Sequence, residues 1–326
     1  MQKVSEGYKK LYHYTTWEGL QGILETQTLW STNYKFLNDY SEIILFKDKL
    51  SSLIYPYVLE GYKRLIKNSP GAKKKINQVG GLRKVVQHDA KGLIKSQYSA
   101  LGDEIYILSF CGQPDDLNIA NNGLLSQWRG YGTGGGAALV FDTQKLEELL
   151  HIESSMFEYC PILLADIIYS DDEEKLKEEY SADLEIIADV AKQFFNHKNI
   201  KQNEIIDSSK AYFPFVRCIS RYKHCGFKEE NEVRVVALPT VIGDEIKKLA
   251  ARDGTTLRPE KERKFRQKNG KRIPYIELFR SIDAGLPINK IIIGPHPDKE
   301  SRAKELRKKL AKKNIEIICS DIPYVG

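Results

Sequence analysis

The sequence predicts a mixed α and β protein, because short apolar runs typical of strands alternate with longer stretches of helical pattern. Two runs rich in β-branched residues, Leu163–Tyr169 and Lys290–Pro295, illustrate the strands. No internal repeat is evident in the sequence. We therefore expect a single α+β domain over residues 1–326, with helical insertions at about 42–100 and 171–224.

Length and composition favour a folded, water-soluble chain. The protein has 326 residues, of which 41% are hydrophobic, enough to bury a core without disulfide staples. The N-terminal stretch 1–10 has no apolar core of a signal peptide, and no apolar run approaches the roughly 20 residues that span a bilayer. We expect a cytoplasmic protein with no membrane contact.

Cysteine usage argues against a disulfide framework and against a metal site. There are five cysteines, an odd number, with no C-x-x-C pair. They stand at positions 111, 160, 218, 225 and 319. His224 and Cys225 adjoin, but neighbours in sequence rarely face each other, so we interpret both as structural residues and expect no metal.

The charge is unevenly distributed around a formal net value of +6. Two segments, Lys63–Lys95 and Arg252–Arg272, are rich in lysine and arginine. Such segments can contact a phosphate backbone, and Phe265 offers a stacking surface within the second. A solvated basic loop is the alternative for the second segment, and the residues alone favour it.

The segment Leu11–Ser31 predicts a strand, a sharp turn and a helix. Thr15 or Thr16 can cap the helix, and Glu18 lies in its first turn. The first amides of the helix then lie beside His13, a suitable place for a polar or anionic ligand group. A satisfied core histidine is the alternative interpretation.

The next segments predict a helical region followed by a strand. Ser41 is expected to cap a long helix from about Glu42, and Pro56 is expected to bend or end that helix. Lysine-rich helical pattern continues to about Ala100. The run Glu104–Phe110 predicts a strand.

A glycine-rich turn follows within Ser126–Asp142. Three of its glycines have G-x-G-x-x-G spacing, but a loop precedes them and a strand follows, the reverse of a dinucleotide-binding context. We predict a tight, mobile turn leading into a strand. Trp128, Arg129 and Tyr131 beside this turn are suited to stacking on a flat ligand, although a core tryptophan would have the same pattern.

The remaining segments of the sequence also predict a mixture of helices and strands. It predicts two helices over 171–224, a strand at Ile273–Phe279, a basic helix at about 299–313 and a closing strand.

The stretch Phe227–Leu238 carries the most unusual charge pattern. Strand alternation predicts that Glu230, Glu232 and Arg234 share one face. Like charges raise the pKa of one acid and arginine lowers it again, so one carboxylate can be ionised and poised for chemistry. A solvated strand edge with a Glu–Arg pair is the alternative, and these residues alone favour it.

Several of these segments, taken in order, resemble the DUF2971 proteins of bacteria and their viruses. The matching motifs are LYHYTTWEGLQGILETQTLWST, FLNDYSE, SFCG, QWRGYGTGGGAALVFD, IIYS, FKEENEVRVV and IIIGP. They span Leu11–Pro295 and leave residues 50–100 and 170–220 unmatched.

The first motif is also similar to the opening of DarT-like enzymes and of wider ADP-ribosyltransferases. This resemblance implies an ADP-ribosyltransferase-like mixed β core, with His13, Tyr14 and Thr15 in the pocket for the nicotinamide dinucleotide. It implies a catalytic glutamate near the start of a late strand, which fits Glu232 and fits Glu230 less well. The aromatic residue that stacks on nicotinamide stays open among Tyr131, Trp128 and Tyr34.

The resemblance implies a NAD-dependent mono-ADP-ribosyltransferase, with NAD as co-substrate, acting on a protein or nucleic acid as a toxin or antiviral defence effector. Glu232 would stabilise the oxocarbenium-like state of the ribose, and Glu230 would orient the acceptor. Arg129 or Arg234 would pair with the pyrophosphate. A NAD glycohydrolase, or a non-catalytic nucleic-acid-binding accessory protein, is the alternative.

Overall fold

The computed structural model describes residues 3–37, 40–100, 104–132, 134–197 and 208–323. The chain divides into two compact units. The first unit is composed of Met1–Tyr34, Ile105–Asp166 and Lys228–Gly326, and the second of Lys35–Glu104 and Ile167–Phe227. The segments predicted as helical insertions fall within the second unit.

The strands, numbered in chain order, divide unequally between the units. The first unit contains β1 (Lys10–Thr15), β2 (Leu29–Asn33), β3 (Tyr106–Gly112), β4 (Ala137–Asp142), β5 (Tyr159–Asp166), β8 (Glu232–Pro239), β9 (Lys264–Lys268), β10 (Lys271–Leu278), β11 (Ile288–Ile293) and β12 (Glu316–Cys319). The second contains β6 (Ile168–Tyr169) and β7 (Tyr222–Lys223).

Helices accompany both sets of strands. The first unit contains α1 (Val4–Gly7), α2 (Trp17–Thr26), α6 (Leu117–Asn122), α7 (Leu125–Tyr131), α8 (Thr143–Met156), α12 (Asp244–Asp253) and α13 (Lys299–Lys309). The second contains α3 (Tyr40–Asn68), α4 (Pro70–Gln78), α5 (Leu82–Ala100), α9 (Glu173–Glu179), α10 (Ser181–His197) and α11 (Tyr212–Ser220).

The ten strands of the first unit form one mixed sheet. Its main order is β12-β11-β4-β1-β3-β2-β10-β9, and β8 joins β3 to β5. β11 and β12 are parallel, whereas the neighbouring pair β11 and β4 is antiparallel. The predicted mixed α and β class is therefore confirmed.

One face of this sheet carries the main hydrophobic core. Alternate residues of the central strands, among them Leu11, Phe110, Leu139 and Val233, lie in a single buried cluster. Helices α2, α8 and α13 cover that face with Leu20, Leu24, Leu146, Leu149, Leu150, Ala303 and Leu306. A smaller cluster lies on the opposite face and includes Tyr12, Tyr14, Trp128, Ala138, Val140 and Ile292.

The prediction that Ser41 caps the long helix is wrong, and of the two effects predicted for Pro56, a bend or an end of the helix, the end does not occur. α3 continues through Pro56, and Ser41 lies inside α3 instead of capping it. Proline removes one helical hydrogen bond, but it is exposed here, while Leu53, Ile54 and Val58 around it are fully buried. Packing of the buried side of α3 therefore outweighs the loss of a single hydrogen bond.

The segment that we interpreted as a basic loop contains the antiparallel pair β9 and β10. Asn269 and Gly270 connect the two strands, and both have positive φ, 51° and 71°. Two such residues between strands are typical of a tight hairpin turn. None of the helices within the described ranges combines the length and the apolar character that a membrane span requires.

Candidate active site

The end of β1 and the start of α2 form a sharp corner. Thr16 caps α2, and its Oγ1 accepts a hydrogen bond from the backbone N–H of Gly19 at 3.1 Å. Of the two caps that the sequence allows, the structure has Thr16. β1 therefore ends at Thr15, and His13 lies in the last half of β1, shortly before α2 begins at Trp17.

His13 is fixed in one orientation by the neighbouring strand. Its Nδ1 lies 3.0 Å from the backbone oxygen of Ser109 and must carry the proton to make this hydrogen bond. Its ring also packs on Phe110, with 5.6 Å between ring centroids. Burial lowers the pKa of His13, so the imidazole is neutral near pH 7. Nε2 therefore presents a lone pair, and no described residue hydrogen-bonds to it.

One side of β3 is only partly paired beside His13. β1 pairs with β4 along its whole length, from Lys10 to Thr15, but it pairs with β3 at two positions, ending with Tyr12 opposite Cys111. β2 meets β3 further along, at Thr32 and Asn33. Backbone pairing is therefore interrupted between these two contacts, and the imidazole of His13 bridges to β3 at the start of the interruption.

The glycine-rich turn packs directly against this corner. A Cβ atom on Gly136 would lie 2.0 Å from the backbone oxygen of Thr15, so only glycine fits there. The N–H groups of Gly135 and Gly136 both bond to Gly132, and Arg302 bonds to the backbone oxygen of Gly134 at 3.1 Å. The turn is therefore held in place, and the N–H groups of Gly135 and Gly136 already donate to an acceptor within the turn.

Trp128 is a core residue in this structure. It is 1% exposed, and its Nε1 donates to the backbone oxygen of Asn122 at 2.9 Å. Tyr14 packs edge-on against it, with ring centroids 4.9 Å apart, and the Tyr14 hydroxyl accepts from the N–H of Leu124. Both aromatic rings hold α7 against β1, which is the alternative that the sequence left open for Trp128.

The other aromatic and cationic candidates lie nearer the surface. Arg129 is exposed, and Tyr131 at the end of α7 is 43% exposed. Tyr34 is half-buried, and its N–H donates to Ile105 at 2.9 Å. Tyr131 is therefore the most accessible of the three rings proposed to stack on a ligand.

Glu232 and Arg234 form a buried, bidentate ion pair on β8. Nε and Nη2 of Arg234 donate to the two carboxylate oxygens of Glu232 at 2.7 and 2.8 Å. The two residues are 5% and 3% exposed. Strand alternation places both on one face, as the sequence predicts, but the carboxylate does not lie at a solvated strand edge.

Glu230 does not share that face. A 3-10 turn over Cys225–Glu230 precedes β8, and Asn231 between the turn and the strand has a φ of 45°. Asn231 is held there by two contacts: its side-chain oxygen accepts from Tyr8, and its backbone oxygen accepts from Gly112. The prediction that Glu230 belongs to the strand is therefore wrong, because the chain turns at Asn231.

His13 and Glu232 lie two strands apart and on opposite faces of the sheet. Cys111 on β3 pairs with both Tyr12 and Glu232, and directly paired residues share a face. His13 follows Tyr12 and therefore points to the other side, toward Phe110. The two backbones are about 10 Å apart at the usual strand spacing.

One family model matches the middle of the chain. Residues 127–235 match DUF2971, described as a protein of unknown function. The chain carries a DUF2971 segment. The family predicted from the sequence is thereby confirmed for these residues. No curated protein and no solved structure gives a significant match.

The DUF2971 segment includes all candidate residues from the middle and late motifs. These are Trp128, Arg129, Tyr131, Glu230, Glu232 and Arg234. His13, Tyr14 and Thr15 precede the DUF2971 segment but lie in the same compact unit as β8. The roles assigned to all nine residues stay predictions.

No sequence pattern singles out Trp30, which lies on the same sheet face as Glu232. Trp30 is 42% exposed, and its ring centroid lies 4.4 Å from that of Tyr275. Arg266 lies over the Trp30 ring at 5.4 Å and bonds to Thr32 at 3.2 Å. The stacking partners come from β2, β9 and β10, so only the sheet register brings them together.

Proposed function

We propose that this protein is a NAD-dependent mono-ADP-ribosyltransferase that modifies a protein or a nucleic acid. One observation carries the proposal: a neutral histidine whose Nε2 accepts no hydrogen bond from a described residue lies beside an interruption in the pairing of the sheet, two strands from a buried carboxylate at the start of β8. A carboxylate near a ribose stabilises positive charge on the sugar, and a neutral imidazole accepts a hydrogen bond from a hydroxyl.

The reaction breaks the bond between nicotinamide and the ribose C1 atom and forms a bond from C1 to the acceptor. The bonding electrons leave with nicotinamide, which becomes neutral, and the ribose passes through an oxocarbenium-like state. An acceptor hydroxyl, amine or thiol attacks C1 and loses its proton. In this proposal the Glu232 carboxylate stabilises the cationic sugar, and Glu230 in the preceding turn takes part in orienting the acceptor.

The arginines are assigned different tasks. Arg234 is bonded to both oxygens of Glu232 and holds that carboxylate in position. Arg129 is exposed on α7 and is therefore the arginine that we assign to the pyrophosphate. Tyr131, exposed at the end of the same helix, is the ring that we assign to stacking.

The proposal places a strict demand on where NAD binds. His13 and Glu232 lie on opposite faces of the sheet. A dinucleotide that contacts both therefore has to pass beside β3 where backbone pairing with β1 and β2 is interrupted. In this arrangement Nε2 of His13 accepts a hydrogen bond from a ribose hydroxyl on one side. The nicotinamide ribose lies on the side of Glu232.

The test uses NAD labelled in its adenylate part, a host lysate and the purified full chain. The wild-type protein is expected to release nicotinamide and to label a macromolecule, and Glu232→Gln is expected to lower both rates about 10²–10³-fold. Glu229→Gln, which changes an exposed acid three residues earlier, is the matched control and should retain activity. His13→Phe keeps the packing on Phe110 but removes Nε2, so it should weaken NAD binding.

Three outcomes of this experiment are informative. Release of nicotinamide with no labelled macromolecule would identify water as the acceptor and make the protein a NAD glycohydrolase. Equal rates for the wild type and Glu232→Gln would remove Glu232 from the mechanism. If the wild type neither releases nicotinamide nor labels any component of the lysate, the transferase proposal fails.

A second candidate function, nucleic-acid binding without catalysis, is favoured by the face that carries Trp30. Arg266, Lys268 and Lys271 share that face of the β9–β10 hairpin, because Lys268 pairs with Lys271 and alternate residues face the same way. Both lysines are exposed. An exposed tryptophan beside a row of cations suits a single strand, with one base on the ring and phosphates along the hairpin.

This candidate is tested by titrating single-stranded oligonucleotides at several salt concentrations. Lys268→Gln should weaken binding and reduce the salt dependence by about one ion, whereas Arg272→Gln, on the opposite face of the same hairpin, should change neither. Base stacking should quench the fluorescence of Trp30 in the wild type, and Trp30→Phe should lose that signal. Equal effects of the two charge variants would contradict a site on this face.

A further inference from the structure

The second unit places three potential metal ligands at the ends of two parallel strands. β6 and β7 pair in parallel, with Ile168 opposite Tyr222. Asp171 follows β6 by two residues, and His224 and Cys225 follow β7 directly. The carboxyl ends of parallel neighbours lie at the same edge, so loops that leave them meet, and ligand sites commonly form there.

The two neighbours His224 and Cys225 both reach the same carboxylate. Sγ of Cys225 lies 3.2 Å from Oδ2 of Asp171, and Nε2 of His224 lies 3.4 Å from that same oxygen. The expectation that adjacent residues do not share a site is therefore wrong here. A 3-10 turn begins at Cys225, directly after His224.

The other oxygen of Asp171 is held separately. The hydroxyl of Tyr222 donates to Oδ1 at 3.0 Å, and Nζ of Lys49 lies 3.2 Å from it. Groups that fix a ligating carboxylate in this way are typical of metal sites, where they set the orientation of the ligand. Asp171 thus directs one oxygen toward its supports and the other toward His224 and Cys225.

We propose that Asp171, His224 and Cys225 form a mononuclear zinc site. A tetrahedral zinc ion with bonds of 2.0–2.3 Å separates its ligand atoms by about 3.3–3.6 Å. The two measured separations from Oδ2, 3.2 and 3.4 Å, agree with that geometry, and all three ligand atoms lie within 4.8 Å of one another. Among the described residues, this is the group that meets such a spacing.

The ligand chemistry selects zinc over the common hard cations. A thiolate and an imidazole are poor ligands for Mg²⁺ and Ca²⁺, which prefer all-oxygen sets, whereas zinc accepts sulfur, nitrogen and oxygen together. All three residues are exposed, so an ion enters from solvent without displacing the core. Three protein ligands leave the fourth position open to water.

Metal entry has a defined proton balance. The Cys225 thiol loses one proton to solvent as the bond from sulfur to zinc forms. His224 binds zinc through Nε2, so its ring proton has to lie on Nδ1, which in this structure accepts a hydrogen bond from the N–H of Gly226 at 3.0 Å. Binding therefore breaks the bond to Gly226 and releases one proton per ion, which makes the affinity rise with pH.

The first experiment titrates the chelator-treated full chain with Co²⁺, whose spectrum reports ligand type and geometry. One equivalent should give intense tetrahedral bands and a thiolate-to-cobalt charge-transfer band, and Zn²⁺ should displace both. Cys225→Ser should remove the charge-transfer band, while Cys319→Ser, a half-buried cysteine at the end of β12, should retain it. Tyr222→Phe should weaken binding about tenfold through the lost support of Asp171.

A second measurement uses only the wild-type chain, so it does not depend on the folding of any variant. Exposed Cys225 should react with iodoacetamide in the metal-free protein and be protected by one equivalent of Zn²⁺, as read by mass spectrometry of the labelled peptide. Octahedral cobalt spectra without a thiolate band, or alkylation of Cys225 that zinc does not slow, would overturn the proposal.

Discussion

Two buried carboxylates in the first unit differ in what they hold together. Glu153 on α8 is fully buried and bonds to Tyr159 on β5, to Lys261 and to the N–H of Phe279 after β10. Glu232 is bonded on both oxygens by Arg234, two residues further along the same strand. The bonds of Glu153 join four segments of chain, whereas the bidentate pair of Glu232 and Arg234 lies within one strand.

This difference separates a structural carboxylate from a candidate functional one. A buried charge is costly unless it is paired, so its position needs an explanation. For Glu153 the explanation is architectural, because its removal would leave donors from three other segments without an acceptor. Glu232 is bound through both oxygens by a residue of its own strand, and our proposal assigns this carboxylate to chemistry.

The largest effect on stability is expected at the structural carboxylate. Glu153→Gln should lower the free energy of unfolding by about 3–5 kcal/mol, because Lys261, 5% exposed, is left as a buried charge without its partner. Urea denaturation followed by circular dichroism measures this loss. A change below about 1 kcal/mol would contradict the structural role of Glu153.

Removing the unpaired charge of Lys261 should restore part of the stability that Glu153→Gln loses. Glu153→Gln combined with Lys261→Met eliminates the unpaired ammonium and leaves the amide oxygen to accept from Tyr159 or Phe279. The double variant should be at least about 1 kcal/mol more stable than Glu153→Gln in the same denaturation experiment. If it is less stable, the ammonium contributes through its contact with the Phe157 ring, which lies 4.1 Å from Nζ.

A smaller stability effect, with a larger effect on chemistry, is expected for Glu232→Gln. The amide oxygen still accepts one hydrogen bond from Arg234, and Arg234 has further interactions within the protein, so it is not left unpaired and the loss should be about 1–3 kcal/mol. The reaction rates of Glu232→Gln and Glu153→Gln are compared with that of the wild type at a temperature where all three proteins are folded. Glu153→Gln should retain the wild-type rate per folded molecule, and a parallel loss in the two variants would remove the contrast between the sites.

The smallest effect concerns the contribution of His13 to the pH dependence of stability. Burial lowers the pKa of His13 below its ordinary value of 6.5, so below pH 6.5 the unfolded chain takes up a proton that the folded chain does not. The stability should therefore decrease as the pH falls from 6.5, with a contribution of at most about 1.4 kcal/mol per pH unit.

The control for this pH effect is His13→Asn, which retains a donor for the oxygen of Ser109 but does not titrate. Unfolding measured at pH 7.5, 6.5 and 5.5 should show a steeper decline for the wild type than for the variant. Parallel declines in the two proteins would mean that His13 is protonated equally in the folded and unfolded states.

Local patterns in the sequence predict most of the elements of the first unit. The helix cap at Thr15 or Thr16, the strand before it, and the shared face of Glu232 and Arg234 depend on residues close together in the chain, and these predictions are confirmed. The same local rules fail at Pro56, where burial of neighbouring side chains on α3 outweighs the preference of proline.

The arrangement of the candidate site depends on long-range contacts that no local pattern contains. Asn231 turns the chain because Tyr8 and Gly112, each more than 100 residues away, hold it there. The side of the sheet to which His13 points follows from the register between β1 and β3. Sequence reasoning therefore identified the residue types but could not decide which of them share a face.

The position of β9 at the end of the sheet has a consequence for self-association. Among the described strands β9 pairs with β10 alone, so its outer edge presents unpaired backbone groups to solvent. If two copies paired antiparallel through this edge about Arg266, Lys264 would oppose Lys268 and the two arginines would face each other. The repulsion between these cations protects the protein against fibril-like growth from this strand.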